Sequence, residues 1–340
     1  MSTFGPLPVV PEVDAADPAS FAALRAGRRP AVLRGLVAGW PAVAAAKRGD
    51  AAIVDYLIGC APTRPVSGLM APAEARGRFF YNDEVTGFNF RRLNGRLEDF
   101  LRELLRIGDA EAPPAMAVQS EAIAELLPAF AAANRLALLP GVAPRIWIGN
   151  RIRVAPHYDL MENVACCVAG RRRFTLFPPD QLANLYPGPF ELTPAGTPVS
   201  MVDPFAPDLD RYPRFAEAWS HASEATLEPG DALYLPYMWW HGVESLEPVS
   251  ILVNYWWTDH DPALGVPYDA LLHNLLAFRH LPPADRAIWR AMLDHYVFEA
   301  NGDPAAHLPR RAQGILGPAS PQRLAAMRAM LRRIFEGGGK

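Results

Sequence analysis

The residues best suited to chemistry are two histidines and an aspartate in the middle of the chain. His157 and Asp159 lie two positions apart in the segment HYD, and His241 follows 84 residues after His157. Two imidazoles and one carboxylate on one face of a metal ion form the facial triad of non-heme Fe(II) oxygenases, which leaves other metal positions open. A His-x-Asp pair alone is weak evidence. With eight histidines and 36 acidic residues in the chain, about one histidine is expected by chance to have an acidic residue two positions later.

Strands must bring these three residues together. His157 lies between the strand-like segments RIWIGNRIRV and NVACCV. Since side chains alternate across a strand, His157 and Asp159 should project to the same face. His241 comes after the apolar segment DALYLPY, and strands that are distant in sequence lie side by side in a jelly roll. We therefore expect His241 to complete a metal site with His157 and Asp159.

The region from residue 145 to residue 257 has the pattern of a β domain. Short runs rich in Val, Ile, Phe, Tyr and Trp alternate with Gly, Pro and Asp turns, which is typical of a jelly roll or barrel. Upstream, from about residue 17 to 139, the signals are mixed, with helical periodicity at 18–24 and 96–107 and a buried strand at 30–33. We predict a mainly β fold with flanking helices, a double-stranded β-helix (jelly roll) preceded by an α+β segment.

After residue 261 the pattern changes to helices. Three apolar stripes recur at three- and four-residue steps: Leu271, Leu272, Leu275 and Leu276; Ile288, Trp289, Met292, Leu293 and Tyr296; and Leu324, Met327, Leu331 and Ile334. The sequence thus predicts a domain over 1–262 and a helical region over 263–340. This region is either a flap on the barrel or a dimerisation element. Because the last stripe is too apolar to face water alone, we expect a homodimer through these helices.

Charge and cysteine content limit the possible partners and compartments. The net charge of −3 disfavours binding to a phosphate backbone, so we expect no nucleic-acid partner. The chain has no apolar run of the ~20 residues that span a bilayer and no signal-peptide pattern at its start, so we expect no membrane partner. Three cysteines cannot form a disulfide framework. We expect reduced, structural cysteines in a cytoplasmic protein.

Several segments, in this order, resemble those of the cupin-like JmjC-domain hydroxylases, the family of the asparaginyl hydroxylase of hypoxia-inducible factor. The shared segments are HYD, GRRRFTLFPPDQLANLYP, GDALYLPYMWWHGVESL and VNYWW. A fainter likeness upstream, in RPAVLRGLVAGWPAV and FFYNDEVTGFNF, resembles the bacterial cupin-like branch. Together with QGILGPASPQRL downstream, the resemblance covers most of the chain.

The resemblance implies an Fe(II)- and 2-oxoglutarate-dependent oxygenase. His157, Asp159 and His241 match the iron ligands of the family, and they would be both the metal-binding and the catalytic residues. The substrate would be a peptide or protein side chain, or a small molecule, and either hydroxylation or demethylation could result. The alternative is a metal-binding cupin-like protein without oxygenase activity, which acts as a binding or regulatory module.

Three further side chains match positions around the family's co-substrate. Asn163 and Asn254 match residues near the metal-bound end of 2-oxoglutarate, and Trp256 matches an aromatic residue that walls the site. Each has an ordinary alternative: the two amides could satisfy backbone groups at strand ends, and Trp256 could belong to the core.

The cation for the far carboxylate of 2-oxoglutarate departs from the family pattern. Where the family usually has a lysine, this chain has Arg172, and its only lysines, Lys47 and Lys340, lie outside the β region. A buried carboxylate needs a cationic partner, so an arginine must serve. Strand alternation gives Arg172 the opposite facing from Arg171 and Arg173. We therefore predict that Arg172 binds the co-substrate, the alternative being a solvated strand position.

Overall fold

The computed structural model describes residues 4–14 and 17–336. The start of the predicted 1–262 domain and the end of the predicted 263–340 region, including Lys340, lie outside the described residues. The chain divides into two compact units, one ending at Thr258 and the other beginning at Asp259. The sequence-based division lies a few residues further on, after residue 262.

The first unit is built on two β-sheets. Its strands are β1 (Ala31–Leu33), β2 (Val66–Ala71), β3 (Arg78–Phe79), β4 (Arg91–Gly95), β5 (Ala115–Ala122), β6 (Pro144–Gly149), β7 (Arg153–His157), β8 (Glu162–Ala169), β9 (Arg172–Phe177), β10 (Ser223–Leu227), β11 (Ala232–Leu235), β12 (Trp240–Ser245) and β13 (Ser250–Trp257). An eight-stranded sheet has the order β1-β11-β8-β13-β6-β5-β2-β4, and a five-stranded sheet has the order β10-β9-β12-β7-β3. This architecture confirms the predicted jelly roll.

Strand pairing within the five-stranded sheet determines where the site lies. Strand β12 pairs antiparallel with β7 on one side and with β9 on the other, and His241 is directly opposite His157. The short strand β3 pairs with β7 in parallel. Strands far apart in sequence are therefore neighbours, as the jelly-roll prediction required.

Apolar side chains fill the space between the sheets and a second layer outside the larger sheet. Between the sheets, Phe174 and Leu176 of β9 pack with Leu233 of β11 and Leu252 of β13. Period-two alternation explains why Cys167 belongs to this inner cluster and Cys166 to the outer one. All three cysteines, Cys60 included, are buried and unpaired.

Helices cover the outer face of the eight-stranded sheet and the edges of the first unit. They are α1 (Pro18–Ala26), α2 (Pro41–Ala46), α3 (Asp50–Gly59), α4 (Leu97–Ile107), α5 (Ile123–Leu126), α6 (Pro128–Ala133) and α7 (Phe215–Ser220), with 3₁₀ turns at Ala73–Ala75 and Pro179–Asn184. Asp17 caps α1 by accepting hydrogen bonds from the backbone of Ala19 and Ser20, which satisfies amides that a helix start leaves open. Helix α4 buries Leu97, Leu101, Leu104 and Ile107.

The second unit is helical. Its helices are α8 (Pro267–Phe278), α9 (Pro283–Tyr296) and α10 (Pro321–Glu336), with 3₁₀ turns at Pro262–Leu264, Arg310–Ala312 and Gly314–Leu316. Neither α8 nor α9 has a buried residue. None of the helices in the described ranges has both the length and the apolar character needed to cross a membrane.

The turn between β8 and β9 depends on a glycine. Gly170 has a φ of +69°, and a Cβ there would lie 2.7 Å from the carbonyl oxygen of Val249. An L side chain at this position would meet both an unfavourable backbone conformation and a clash with backbone that cannot move aside.

We expect Gly170→Ala to lower the free energy of unfolding by at least about 2 kcal/mol, because strain and clash add. Gly196→Ala is the matched control, since Gly196 also has a positive φ, +85°, but nothing lies within 4 Å of its Cβ position. The control should lose only about 1 kcal/mol. Urea unfolding of both variants measures the difference. Equal losses of unfolding free energy would mean that a Cβ at position 170 does not clash with the backbone at the start of β13.

Candidate metal centre

His157 is the last residue of strand β7, and Asp159 lies in the loop that follows this strand. The prediction that both lie on one strand is wrong in this detail, since β7 ends at His157. The loop backbone is held by two hydrogen bonds. The Met238 amide donates to the Asp159 carbonyl (3.2 Å), and the Thr197 hydroxyl donates to the Tyr158 carbonyl (2.6 Å). The carboxylate is therefore placed by a braced loop and not by strand alternation.

His241 is the second residue of β12 and completes a compact cluster with His157 and Asp159. The centroids of the two imidazoles are 4.3 Å apart, and His241 Nε2 lies 3.6 Å from Asp159 Oδ2. One ligand atom from each of the three residues lies within 4.8 Å of the others. These separations suit two nitrogens and an oxygen that share one metal ion.

The two imidazoles are oriented by backbone carbonyls. Nδ1 of His157 lies 2.9 Å from the carbonyl of Ala155, and Nδ1 of His241 lies 3.0 Å from the carbonyl of Trp239. When Nδ1–H donates to a carbonyl, Nε2 carries a lone pair that can bind a metal. Burial, and then the electrostatic interaction with the neighbouring His241 imidazole, lower the pKa of His157 to about 4. His157 is thus neutral at neutral pH, the form that binds metal ions.

Tryptophan and asparagine side chains fix the polar groups around the triad. Trp256 Nε1 donates to Asp159 Oδ2 (3.1 Å), so Trp256 orients the carboxylate as well as lining the site. Trp147 Nε1 donates to Asn254 Oδ1 (2.8 Å), and Asn254 Nδ2 donates to Asn163 Oδ1 (3.3 Å). Both asparagines are buried, and their bonds run to side chains, not to strand-end backbone groups.

All of the sequence-predicted site residues line one cavity of about 420 Å³. They are His157, Asp159, Asn163, Arg172, His241, Asn254 and Trp256. Much of the remaining wall is apolar, with Phe174, Val243 and Leu252 among its side chains. The cavity therefore combines a metal-ligand set, amide groups and a cation in a largely apolar surrounding.

Arg172 is the buried cation of this cavity. It is 5% exposed, and its Nη2 donates to the Ser250 hydroxyl (2.9 Å). Its Nε has no hydrogen-bond partner among the described residues. Burial lowers the pKa of Arg172 to about 10, so the guanidinium remains charged at neutral pH. A buried charge with an unpaired N–H is costly unless an anion binds it.

The neighbouring arginines do not line the cavity and have glutamate partners, which agrees with the opposite facing that alternation predicted. Arg171 Nε lies 2.7 Å from Glu247, and Arg173 Nη2 lies 2.5 Å from Glu244. Arg172 alone of the three points into the cavity. Arg172, which faces the cavity, is therefore the one of these three arginines without a carboxylate partner among the described residues.

Sequence reasoning missed Trp147, Gln119 and Ser120, which also line the cavity. Ser120 has a φ of +55° and lies where the register of β5 against β6 shifts between Val118 and Glu121. Arg145 binds both the hydroxyl and the carbonyl of Ser120. No local sequence signal predicts this bulge. For Trp147 a signal does exist. Alternation along RIWIGN places Trp147 on the opposite face of the strand from its two isoleucine neighbours, and this could have identified it as a cavity residue.

Comparisons with known proteins agree with this geometry. Residues 18–262 match a family model described as a cupin-like domain. The human bifunctional peptidase and (3S)-lysyl hydroxylase JMJD7 is 30% identical over 278 residues, which cover 73% of this chain and 82% of that protein. Human HSPB1-associated protein 1 is 39% identical over 120 residues, 34% of this chain but only 24% of that protein. The lysine-specific demethylase JMJ31 of Arabidopsis thaliana is 36% identical over 112 residues, 33% of this chain and 20% of that protein.

We expect His157→Ala and His241→Ala each to abolish stoichiometric Fe(II) binding, because two remaining protein ligands hold the ion poorly. Metal content after anaerobic loading and desalting measures the effect. His221→Ala is the control, since His221 is exposed at the end of α7, and it should retain the metal of the unmodified protein. Full occupancy in both site variants would refute the ligand assignment.

Proposed function

The chain belongs to the cupin-like domain family, and on that basis we propose that it is an Fe(II)- and 2-oxoglutarate-dependent oxygenase. The observation that carries the proposal is one cavity that holds the triad His157, Asp159 and His241 together with the unpaired buried guanidinium of Arg172. The names of the relatives JMJD7, a hydroxylase, and JMJ31, a demethylase, agree with this chemistry.

The metal would be held by Nε2 of His157, Nε2 of His241 and a carboxylate oxygen of Asp159. Trp256 keeps that carboxylate in place through its hydrogen bond, and backbone carbonyls keep both imidazoles turned with Nε2 toward the cluster. When bound, Fe(II) and 2-oxoglutarate would supply the chemistry that uses O2 as oxidant: one oxygen atom would enter an unactivated C–H bond and the other would enter succinate, as the co-substrate loses CO2.

The co-substrate would lie between the asparagine pair and Arg172. Asn163 and Asn254 lie with the triad in the cavity and offer amide groups to a 2-oxo acid, and Arg172 offers a charged N–H to the far carboxylate. Arginine and carboxylate form strong charge-assisted hydrogen bonds. Apolar side chains in the wall, such as Phe174, Val243 and Leu252, would limit the water around a reactive centre and so reduce side reactions.

The substrate would be a protein or peptide side chain or a small molecule, modified by hydroxylation or by the demethylation that can follow it. Conversion of 2-oxoglutarate to succinate with Fe(II) and ascorbate, without added substrate, tests the proposal. Slow, iron-dependent succinate formation is the expected result, and its absence would favour the alternative of a metal-binding cupin-like protein without oxygenase activity.

We expect Arg172→Ala to raise the 2-oxoglutarate requirement at least about tenfold, equivalent to about 1.4 kcal/mol, while Fe(II) binding stays intact. The reason is the loss of the charge-assisted pair with the far carboxylate. Succinate formation over a range of 2-oxoglutarate concentrations measures it. Arg171→Ala removes an exposed, Glu247-paired arginine one position away and should change nothing. An unaltered requirement in Arg172→Ala would show that Arg172 does not bind the co-substrate.

We also propose that the protein is a homodimer joined through its C-terminal helices and that it works in the cytoplasm. Large apolar side chains are exposed along all three helices of the second unit, among them Leu276, Ile288, Leu331 and Ile334. Burying such surface is favourable by about 25 cal/mol per Å². The three unpaired cysteines suit a reducing compartment.

Light scattering at micromolar concentration should give the mass of a dimer. Leu331→Glu combined with Ile334→Glu should shift it toward the monomer, because charges would replace apolar contacts on α10. Arg332→Ala, on the same exposed helix, should leave the dimer mass unchanged. A monomeric mass for the unmodified protein would rule out the proposed assembly.

A further inference from the structure

The hydroxyl of Ser250 is the described side-chain partner of the buried Arg172 guanidinium. We propose that Ser250 is a positioning residue for the co-substrate: it holds Arg172 so that the guanidinium faces the far carboxylate of 2-oxoglutarate, without cancelling its charge. This inference rests on the proposed function and adds to it a residue that the sequence did not suggest.

The bond between these residues connects the two sheets. Arg172 begins β9 of the five-stranded sheet, and Ser250 begins β13 of the eight-stranded sheet. The Arg172 Nη2 to Ser250 Oγ distance is 2.9 Å, and Ser250 has no solvent exposure. In buried surroundings, a hydrogen bond to a charged group is worth more than one at the surface. The bond therefore restricts a side chain that would otherwise have several rotatable bonds.

The turn before β9 explains why the two residues meet. At Gly170, a Cβ would lie 3.3 Å from the Cα of Ser250. The turn thus lies directly against the start of β13, and Arg172 follows two residues later. A larger residue at position 170 would push the start of β9 away from Ser250.

The choice of a hydroxyl keeps the site cationic. The acidic side chain that interacts electrostatically with Arg172 is the thiol of Cys167. Burial raises the pKa of that thiol to about 12, so the thiol is neutral at neutral pH. A carboxylate at position 250 would form a closed ion pair with Arg172 and remove the need for an anionic ligand. A hydroxyl accepts one N–H bond and leaves the charge, and the unpaired Nε, for the co-substrate.

Calorimetric titration of 2-oxoglutarate into the Mn(II)-loaded full-length protein tests this role without relying on turnover. Ser250→Ala should raise the Kd of 2-oxoglutarate at least about fivefold, because the guanidinium loses its anchor. The Kd of Mn(II) should not change. Binding of 2-oxopentanoate, which has the 2-oxo acid end but no far carboxylate, should also be the same in both proteins.

Three more variants separate positioning from general damage. Ser250→Thr keeps the hydroxyl and should retain the 2-oxoglutarate affinity. Ser250→Cys keeps the shape of the side chain but replaces the hydroxyl by a larger, weaker acceptor, and it should lose affinity even if Ser250→Ala does not fold. Ser245→Ala is the matched control: Ser245 is also buried, and it lies opposite Arg172 in the β9–β12 register, but its hydroxyl makes no hydrogen bond in the described part of the chain.

The outcomes distinguish this inference from the proposed function. If the unmodified protein shows no metal-dependent binding of 2-oxoglutarate, the proposed function fails. If the unmodified protein binds 2-oxoglutarate and Ser250→Ala or Ser250→Cys binds it equally well, only the role of Ser250 is refuted. Equal losses in Ser245→Ala and Ser250→Ala, or an equal loss of 2-oxopentanoate binding, would also overturn it.

Discussion

The antiparallel register of β12 is the constraint on which the site depends. On one side it sets His241 opposite His157 of β7, and on the other it sets Ser245 opposite Arg172 of β9. Because side chains alternate along a strand, a slip by one residue would turn His241 away from the cavity. The register that assembles the metal ligands therefore also decides that the face of β9 carrying Arg172 is the inner one.

The positive charge of the cavity arises because Arg172, unlike its two arginine neighbours, has no carboxylate partner among the described residues. Outside the cavity, Arg171 in the turn before β9 and Arg173 on β9 are paired with glutamates. On the inner face, Arg172 has a hydroxyl for a partner and an unpaired N–H. A buried cation in this state is destabilising to the empty protein and favourable to a bound anion. This contrast between adjacent residues makes the burial of Arg172 evidence for a ligand and not merely for packing.

Periodicity and turn residues predicted the jelly roll, the helical C-terminal region and the inward facing of Arg172, since these depend on local alternation. The predicted placement of Asp159 on a strand failed because β7 ends at His157. Hydrogen bonds from Met238 and Thr197 hold the loop backbone, and a hydrogen bond from Trp256 orients the carboxylate. The chain of bonds from Trp147 through Asn254 could not be predicted, because it requires the neighbour order of β6, β13 and β8. That order is a property of the whole fold.

The two sheets contribute different chemistry, and β13 joins the contributions. The five-stranded sheet carries both histidines and Arg172, whereas the eight-stranded sheet carries the asparagines. Strand β13 reaches across at both of its ends, from Ser250 to Arg172 and from Trp256 to Asp159. One strand thus braces both the metal end and the anion end of the cavity. Because a β-strand is stiff and continuous, the spacing between these two ends is set by the strand itself, which suits the proposed binding of 2-oxoglutarate at both of its carboxylates.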